Sequence, residues 1–384
     1  MKYLLFSKAF LKMRQIKLLL LADANSPHTA KWAEFLAQYG SFDIHIFSLT
    51  YVNTDTYSNT GITVYNTIQT NINKNKSGFN KLKYLIVLPK LYKLIKKIKP
   101  DIIHSHYASS YGLLGSLCCF HPFIISAWGS DIFEFPRISF FHRFIIKYNF
   151  KKADKIISTS KIMAEEMKKY TSKDIAITPF GVDVDMFEPK QVKSIFDKKN
   201  ELVIGTIKSL EPIYGVDYLI KAFSIVCESC PQLNLRLLIV GGGSLQKELI
   251  ALCTSLKISD KVVFTGYIKH NEIANYYNML DINVVLSNSE SFGVAVLEAS
   301  ACGKPVVVSN VGGLPEVVDE GITGFIVPPA NIQAAADAIE KLIKNDTLRK
   351  EMGNNARKFV EERYNWKDNA KTMIDIYNNI LTSK

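Results

Sequence analysis

Two glutamates frame the segment Glu290–Glu298, which reads Glu-Ser-Phe-Gly-Val-Ala-Val-Leu-Glu. An apolar strand pattern precedes this segment, and a helix pattern begins within it. Backbone N–H groups at the start of a helix lack partners inside the helix and bind anions such as a pyrophosphate. The residues whose backbone we expect to contact such a ligand are Ser291, Phe292, Gly293 and Val294.

The two glutamates supply the side chains of the expected site. Carboxylate oxygens accept hydrogen bonds from hydroxyl groups. Glu298 lies one helical turn into the helix, where it would accept hydrogen bonds from a ribose, and Glu290 lies at the mouth, where it would touch a donor sugar. Gly293 has no side chain to obstruct the close approach of a ligand. The alternative interpretation is an ordinary strand–loop–helix connection with two solvated glutamates.

Further segments rich in glycine and proline accompany this one in a fixed order. They are Gly266–Tyr267 and Phe180–Asp183 upstream, and Gly303–Val307, Val311–Glu316, Gly321 and Gly324–Pro329 downstream. The combined order strongly resembles the C-terminal domain of glycosyltransferase family 4, the retaining enzymes of the GT-B fold, of the type that builds bacterial polysaccharide, capsule and lipopolysaccharide. The resemblance is strong from about residue 156 to about residue 329 and weaker before that.

The resemblance implies an α/β protein of the GT-B fold, with two Rossmann-like parallel-sheet domains that face each other across a cleft. Glu290 and Glu298 match the two glutamates of the family motif, and the backbone of Phe292–Val294 would hold the donor phosphates. Gly241 and Gly242 would let the chain approach the nucleotide. The residues that would flank the base are Tyr267 and Ile268.

The resemblance also implies a mechanism without a cofactor or a metal. The acceptor would attack the same face of the sugar that the diphosphate leaves, and the leaving phosphate would help to deprotonate the acceptor. Asp183-Val184-Asp185 has the Asp-x-Asp pattern that binds divalent ions in another glycosyltransferase class, but it lies in the hinge segment, and we reject a metal site there. Cys227 and Cys230 lie at the tail of an amphipathic helix, so we expect structural, reduced thiols.

The chain departs from the family at the cation that faces the leaving group. The family usually has an arginine followed five residues later by a lysine, and an ungapped match puts Ser209 and Tyr214 at those places. A cation is still needed to neutralise the diphosphate as the glycosidic bond breaks. Lys208, one residue early, is the nearest candidate, and Ser209 is expected to contact the donor.

A second departure lies in the N-terminal half. Many relatives have a histidine in the turn after the fourth strand, where this chain has Trp128. The acceptor-side role would then pass to Asp131 or His106. Packing at a strand end is the alternative for His104 and His106. A glycine pair after the first strand is also missing, and His28 there would face the cleft.

Alternating apolar strands and amphipathic helices must position these residues, and the alternation predicts two successive α/β halves. In the first half we predict strands at 16–22, 43–49, 101–104, 123–127 and 155–158, with helices at 28–39, 82–99 and 161–170. In the second half we predict strands at 202–207, 235–240, 262–265, 282–286 and 305–309, with helices at 216–227, 245–256, 273–279 and 294–301.

The domain limits follow from this alternation and from a polar hinge at Lys190–Asn200. We expect an acceptor-binding domain at 1–185 and a nucleotide-sugar-binding domain at 186–365. A C-terminal helix at 366–384 is expected to cross back to the first domain.

The formal net charge of +11 points to an anionic partner. Lysines crowd the segment Lys81–Lys99 between apolar residues, and basic and aromatic residues mix in Phe133–Lys152. Such segments bind anionic membranes, so we expect a cytoplasmic protein held peripherally on the inner face of the plasma membrane. The alternative is a buried helix whose other face carries solvated lysines.

Three other features narrow the class of protein. Charged residues interrupt the apolar core that a secretory signal would need in Met1–Gln15, and no uncharged apolar stretch is long enough to span a bilayer. No nucleic-acid-binding motif is present. The first strand lacks the Gly-x-Gly-x-x-Gly of a nucleotide-sugar epimerase or dehydrogenase.

These observations predict a retaining, metal-independent glycosyltransferase that moves a hexose or related sugar from a nucleoside diphosphate sugar, UDP by family prevalence, to a lipid-linked or growing polysaccharide acceptor. One alternative keeps the chemistry but uses a small soluble acceptor, such as a sugar phosphate or a thiol-precursor acid. The other alternative is a non-catalytic sugar-binding protein of the same fold.

Overall fold

The computed structural model describes residues 15–52, 57–66, 84–196 and 201–382. They form two compact units. The first unit contains the described residues within Met1–Ile157, Lys168–Ala176 and Ala370–Lys384, and the second contains those within Ser158–Met167 and Ile177–Asn369. The domain limits expected after residues 185 and 365 stay predictions.

The first unit is built on a seven-stranded sheet in the order β3-β2-β1-β4-β5-β6-β7. Strand β1 pairs in parallel with both β2 and β4, so the direction of strand order reverses at β1. The strands are β1 (Ile16–Leu21), β2 (Phe42–Ser48), β3 (Thr63–Asn66), β4 (Ile102–His106), β5 (Phe123–Ala127), β6 (Lys155–Ser158) and β7 (Ile175–Ile177). The helices along this part of the chain are α1 (Pro27–Tyr39), α2 (Leu88–Ile98), α3 (Ser110–Leu117), α4 (Ser130–Phe133), α5 (Phe135–Ile138), α6 (Phe140–Lys152) and α7 (Lys161–Met167).

The second unit has a six-stranded sheet in the order β10-β9-β8-β11-β12-β13, and its order reverses at β8. The strands are β8 (Glu201–Ile207), β9 (Asn234–Val240), β10 (Val262–Gly266), β11 (Ile282–Val285), β12 (Val306–Ser309) and β13 (Gly324–Val327). The helices along this part of the chain are α8 (Val216–Ser229), α9 (Gln246–Ser255), α10 (Ile273–Met279), α11 (Val294–Ala301), α12 (Ile332–Lys344), α13 (Asp346–Arg363) and α14 (Trp366–Thr382), and α14 belongs to the first unit from Ala370 onward.

Continuous apolar runs produce these strands because parallel strands covered on both faces have no solvent side. In β1 the last four residues, all leucine, are completely buried. Helix α8 buries its apolar face at intervals of three or four residues, including Leu219, Phe223 and Val226, against the sheet and α12. The sheet of each unit is therefore the centre of its core.

The predicted alternation is confirmed, with most element ends within two residues of those expected. The predicted helix at 82–99 is a 3-10 helix over residues 84–87 and an α-helix from Leu88. Its residues 82 and 83 lie outside the described residues, as do 1–14 and 197–200. The short strands β3, β7 and β13 were not predicted. Among the described residues, no helix has both the length and the apolar composition needed to cross a bilayer.

Candidate active site

The loops that follow β8 and β11 meet at the carboxyl edge of the second unit's sheet. These two strands are neighbours, and the strand order reverses between them. In open parallel sheets ligands bind at this switch point, beyond the carboxyl ends of the strands. Lys208 follows β8 directly, and Glu290 lies in the loop between β11 and α11.

Lys208 and Glu290 form an ion pair at this edge. The Nζ of Lys208 donates to Oε2 of Glu290 at 2.5 Å, and the two side chains are only 12% and 14% exposed. The ammonium also lies over the ring of Tyr214, at 4.6 Å from its centroid. A charge-assisted bond in this partly desolvated place is strong and directional, so the candidate cation and the candidate sugar-binding carboxylate are held together.

Glu298 lies within α11 and bonds to a tyrosine that was not predicted from the sequence. The hydroxyl of Tyr277, on α10, donates to Oε2 of Glu298 at 3.0 Å. Burial raises the pKa of Glu298 to about 7, while the bond from Tyr277 and the charge of Lys208 act in the opposite direction. Glu298 therefore changes its charge near neutral pH.

The start of α11 has the form expected of an anion site. Its N-cap, Gly293, has a φ of +118°, which disfavours other residue types, and no side chain caps the first turn. The ring of Phe292 is buried against Phe180 and Tyr364, with ring centroids 6.0 and 5.8 Å away. The Phe292 side chain is thus packed into the core, Ser291 and Val294 are partly exposed, and contact of these backbone groups with a ligand stays a prediction.

Two glycines after β12 hold the Glu290 loop in place. A Cβ on Gly312 would lie 1.7 Å from the carbonyl oxygen of Glu290, and Gly313 donates its N–H to that same oxygen at 3.0 Å. A side chain at Gly312 would push the two loops apart. These glycines position the carboxylate by allowing backbone to pack on backbone.

The glycine run after β9 packs against the turn after β8. A Cβ on Gly241 would lie 2.0 Å from the carbonyl oxygen of Lys208, and Leu210 donates its N–H to the oxygen of Gly242 at 3.0 Å. At Gly242 a Cβ would meet only the backbone nitrogen of Tyr267, at 3.9 Å. The packing of these two turns therefore requires glycine at position 241, whereas a side chain at position 242 would have space.

The other residues expected at the donor site lie at the same sheet edge. Tyr267 follows β10 and is 85% exposed, and Ile268 beside it is half-buried. Ser209 is exposed in the turn after β8. Their contacts with a base or a donor stay predictions.

In the first unit, Asp131 is wholly buried and bonds to backbone groups. Its Oδ2 accepts from the N–H of Ala108 at 2.6 Å, and its Oδ1 accepts from the N–H groups of Gly129 at 2.8 Å and Trp128 at 3.1 Å. Burial raises the pKa of Asp131, and these bonds oppose that rise. The carboxylate ties the loop after β4 to the loop after β5.

His106 is the last residue of β4, at the carboxyl edge of the first unit's sheet, and it is also buried. Its Nδ1 has no hydrogen-bond partner among the described residues. Burial lowers its pKa to about 3, so the imidazole is neutral at physiological pH. Its ring centroid lies 4.6 Å from that of Trp128, which in turn lies 6.0 Å from that of His28.

His104 is bonded through both of its ring nitrogens. Its Nδ1 lies 2.7 Å from the hydroxyl of Tyr377, on α14, and its Nε2 lies 2.8 Å from the hydroxyl of Ser126. All three groups are buried in the first unit. This geometry is that of a packed, satisfied histidine.

Within the described parts of the chain, no group of three or more His, Cys, Asp or Glu side chains is placed to hold a metal ion. Asp183 caps a turn by accepting from the N–H of Met186 at 3.1 Å. Cys227 and Cys230 are buried free thiols. The rejection of a metal at Asp183–Asp185 stays a prediction.

The sequence and the two Rossmann-like sheets match the glycosyltransferases. The family model for group 1 glycosyltransferases matches residues 187–359, and the glycosyltransferase 4-like model matches residues 17–160. An uncharacterised glycosyltransferase of Methanocaldococcus jannaschii is 30% identical over 293 residues, which cover 75% of this chain and 78% of that one. The chain belongs to this glycosyltransferase family.

Other relatives are similar over different lengths. N-acetyl-α-D-glucosaminyl L-malate synthase of Bacillus anthracis is 26% identical over 315 residues, covering 77% of this chain and 79% of that one. A second uncharacterised glycosyltransferase of Methanocaldococcus jannaschii is 33% identical over 204 residues, 52% of each chain, so the match spans about half of that relative.

Solved structures share the fold. Sucrose-phosphate synthase of Thermosynechococcus elongatus has a TM-score of 0.79 at 21% identity and covers 97% of this chain and 100% of its own. HepE of Anabaena, solved in complex with UDP, has a TM-score of 0.78 at 20% identity and covers 95% of this chain and 100% of its own. The fold class predicted from the sequence, α/β with two Rossmann-like domains as in GT-B glycosyltransferases, is confirmed.

Proposed function

We propose that the protein transfers a hexose or related sugar, with retention and without a metal, from a nucleoside diphosphate sugar to a lipid-linked or growing polysaccharide acceptor. UDP is the nucleotide we favour, and the complex of HepE with UDP supports it. The observation that carries the proposal is the cluster at the β8–β11 switch point. There Lys208 and Glu290 are paired, and α11, which begins three residues after Glu290 at its N-cap Gly293, has no side-chain cap among the described residues.

Each group of the cluster has a task in this reaction. The backbone N–H groups at the start of α11 bind the diphosphate, and Glu298 accepts hydrogen bonds from the ribose. Glu290 accepts a hydrogen bond from a hydroxyl group of the donor sugar. Lys208 lies next to Glu290 and neutralises the charge that builds up on the diphosphate as the glycosidic bond breaks.

On the acceptor side the first unit contributes positioning and a neutral hydrogen-bonding group. Asp131 has its oxygens occupied by backbone N–H groups, so we assign it the positioning of the loops after β4 and β5. His106 stays neutral, and its Nδ1, which is buried and has no partner within the described chain, is the nitrogen that we assign to a hydrogen bond with an acceptor hydroxyl. The leaving phosphate takes the acceptor proton.

The lipid-linked acceptor is favoured by a membrane-type surface on α5 and α6. Helices α5 and α6 form a surface that we call the α5–α6 corner. Large apolar side chains project from it with exposures of 54% to 82%, while the opposite face of α6 is buried. They are Ile138, Phe140, Phe141 and Phe144. Exposed basic side chains lie beside them, at Arg137, Arg143, Lys147 and Lys151. An apolar tip with a basic flank matches an anionic bilayer surface.

The lysine-rich helix α2 contrasts with this corner. Its apolar residues Leu91, Leu94 and Ile98 are buried, and its lysines form an outer face. Such a face supplies long-range attraction to anionic lipid without apolar insertion. We therefore assign peripheral attachment at the inner face of the plasma membrane to the α5–α6 corner.

Donor use is tested with a thermal-shift panel of UDP- and GDP-sugars, followed by donor hydrolysis. A true donor at 100 times its dissociation constant stabilises the folded protein by about 2.7 kcal/mol. Glu290→Gln should bind the nucleotide but turn over slowly, and Glu272→Gln, an exposed glutamate on the same unit, should behave as wild type. Absence of stabilisation and of hydrolysis by every donor would favour the non-catalytic alternative.

Membrane attachment is tested by flotation with vesicles of anionic and of zwitterionic lipid at moderate salt. Phe140→Ser with Phe144→Ser should abolish flotation with anionic vesicles. The matched control, Ile250→Ser with Ile322→Ser, removes exposed apolar side chains elsewhere and should float. Equal flotation of both variants, or no flotation of the wild type, would count against the surface.

The second candidate is the same transfer to a small soluble acceptor, such as a sugar phosphate or a thiol-precursor acid. The name of the Bacillus anthracis relative, which designates a synthase of an L-malate glycoside, favours it. Transfer to L-malate or a sugar phosphate in the absence of lipid would establish this candidate in place of the lipid-linked one.

A further inference from the structure

Tyr277 is a buried phenol whose hydroxyl is directed at a carboxylate of the donor site. The residue is completely buried, and its hydroxyl donates to Oε2 of Glu298 at 3.0 Å. A buried tyrosine hydroxyl generally has a polar partner, and here the partner is one of the two motif glutamates. Nothing in the reaction described above uses this hydroxyl.

The surroundings of Tyr277 fix it in place. Its ring lies edge-on to Phe187, with centroids 6.0 Å apart. The side-chain amide of the next residue, Asn278, donates to the carbonyl oxygens of Glu188 and Ala274 and accepts from the N–H of Lys190, each at 2.9 Å. Helix α10 is thereby anchored to the segment that precedes β8, which fixes the backbone that carries the phenol.

The groups that face Glu298 act on its charge in opposite directions. Burial favours the neutral acid, whereas the donated bond from Tyr277 and the positive charge of Lys208 favour the carboxylate. Cys302, near the end of α11, remains a neutral thiol because burial raises its pKa to about 12. Burial and the adjacent Glu298 raise the pKa of Tyr277 itself well above its usual value, so it stays a donor at any working pH.

We propose that Tyr277 is a positioning residue of the nucleotide site, which holds Glu298 as an ionised, correctly aimed acceptor for the two hydroxyls of the ribose. An ionised carboxylate accepts hydrogen bonds from both hydroxyls, whereas in the protonated acid one oxygen carries a hydrogen and acts as a donor. Removing the phenol hydroxyl makes Glu298 easier to protonate, so nucleotide affinity is lost at a higher pH. This inference rests on the proposed function of the site.

The test measures UDP and GDP affinity by calorimetry from pH 6 to pH 9 in Tyr277→Phe. This substitution keeps the ring in the core and removes only the hydroxyl. The matched control is Tyr276→Phe, one residue earlier on α10 and only partly buried. One unit of pKa displacement corresponds to tenfold in the protonation equilibrium. We expect binding within about twofold of wild type at pH 9 and about fivefold weaker at pH 7, because the pKa of the wild-type carboxyl is already about 7.

Two further results decide the outcome. In the background Glu298→Gln, which cannot ionise, Tyr277→Phe should have no pH-dependent effect, because the coupling acts through the carboxylate. A loss of affinity that is equal at every pH, or absent at every pH, overturns the inference while leaving the donor site intact. A wild type that binds neither nucleotide refutes the proposed function, and the inference falls with it.

Discussion

Replacing Lys208 by alanine removes the cation that is paired with Glu290. Breaking a fully buried ion pair costs about 3–5 kcal/mol, and an exposed pair contributes about 1 kcal/mol or less. With exposures of 12% and 14%, this pair lies toward the buried case. We therefore expect the free energy of unfolding of the second unit to fall by about 2 kcal/mol.

The catalytic loss should be larger than the stability loss. Removing one group that stabilises charge in a transition state lowers kcat about 10²–10³-fold. Donor hydrolysis at saturating nucleotide sugar measures this step, at a temperature where thermal denaturation shows every variant folded. Lys208→Arg keeps a cation in reach of Glu290 and should retain most of the activity, whereas Lys247→Ala, an exposed lysine on α9, should retain all of it.

Near-normal kcat for Lys208→Ala would refute the assignment of Lys208 to the leaving diphosphate. So would a loss that is fully explained by partial unfolding and reversed by lowering the temperature. Equal losses in Lys208→Ala and Lys247→Ala would show that overall charge matters and the ion pair does not.

Three more outcomes follow from the described contacts. Gly312→Ala, whose Cβ would lie 1.7 Å from the carbonyl oxygen of Glu290, should lower the melting temperature and reduce turnover. The control Gly321→Ala, at a φ of +76° with nothing within 4 Å, should cost only about 1 kcal/mol of backbone strain. Equal melting temperatures for the two variants would contradict the packing argument. Asp131→Asn places amide hydrogens against backbone N–H donors, so it should destabilise the first unit by about 1–3 kcal/mol, measured by urea titration. An unchanged urea midpoint would show that these hydrogen bonds do not contribute to stability. The pKa of Glu298 is raised to about 7 by burial, so UDP affinity of the wild type should be full above pH 8 and fall as the pH drops through 7; a flat profile from pH 6 to pH 9 would contradict an ionised Glu298 in the complex.

The sequence predicted the fold well because the strands are buried on both faces and the helices have one apolar side. Residues 123–127 and 155–158, for example, form strands with the predicted limits. Strand β7 was missed because it is three residues long and only partly buried, so it lacks a pattern of its own. Such edge strands depend on their neighbours for their existence.

The site was predictable only where the chemistry lies within one segment. Glu290 and Glu298 belong to a single loop and helix, so their spacing was enough to select them as candidates. The bond between Lys208 and Glu290 joins residues 82 positions apart and depends on β8 and β11 being neighbours. Tyr277 gave no signal because a tyrosine on the apolar face of a helix has the pattern of an ordinary core residue.

Helix α14 has a consequence for the order in which the protein matures during synthesis. Ala370, Met373 and Tyr377 are buried, and residues from Ala370 onward belong to the first unit. A nascent chain released after α13 holds nearly the whole second unit, but its first unit lacks the phenol that His104 bonds. Since domains fold as units while they emerge, the unit that begins first should be the last to reach its final form. Premature stop codons within α14 should therefore damage mainly the half of the protein that was translated earliest.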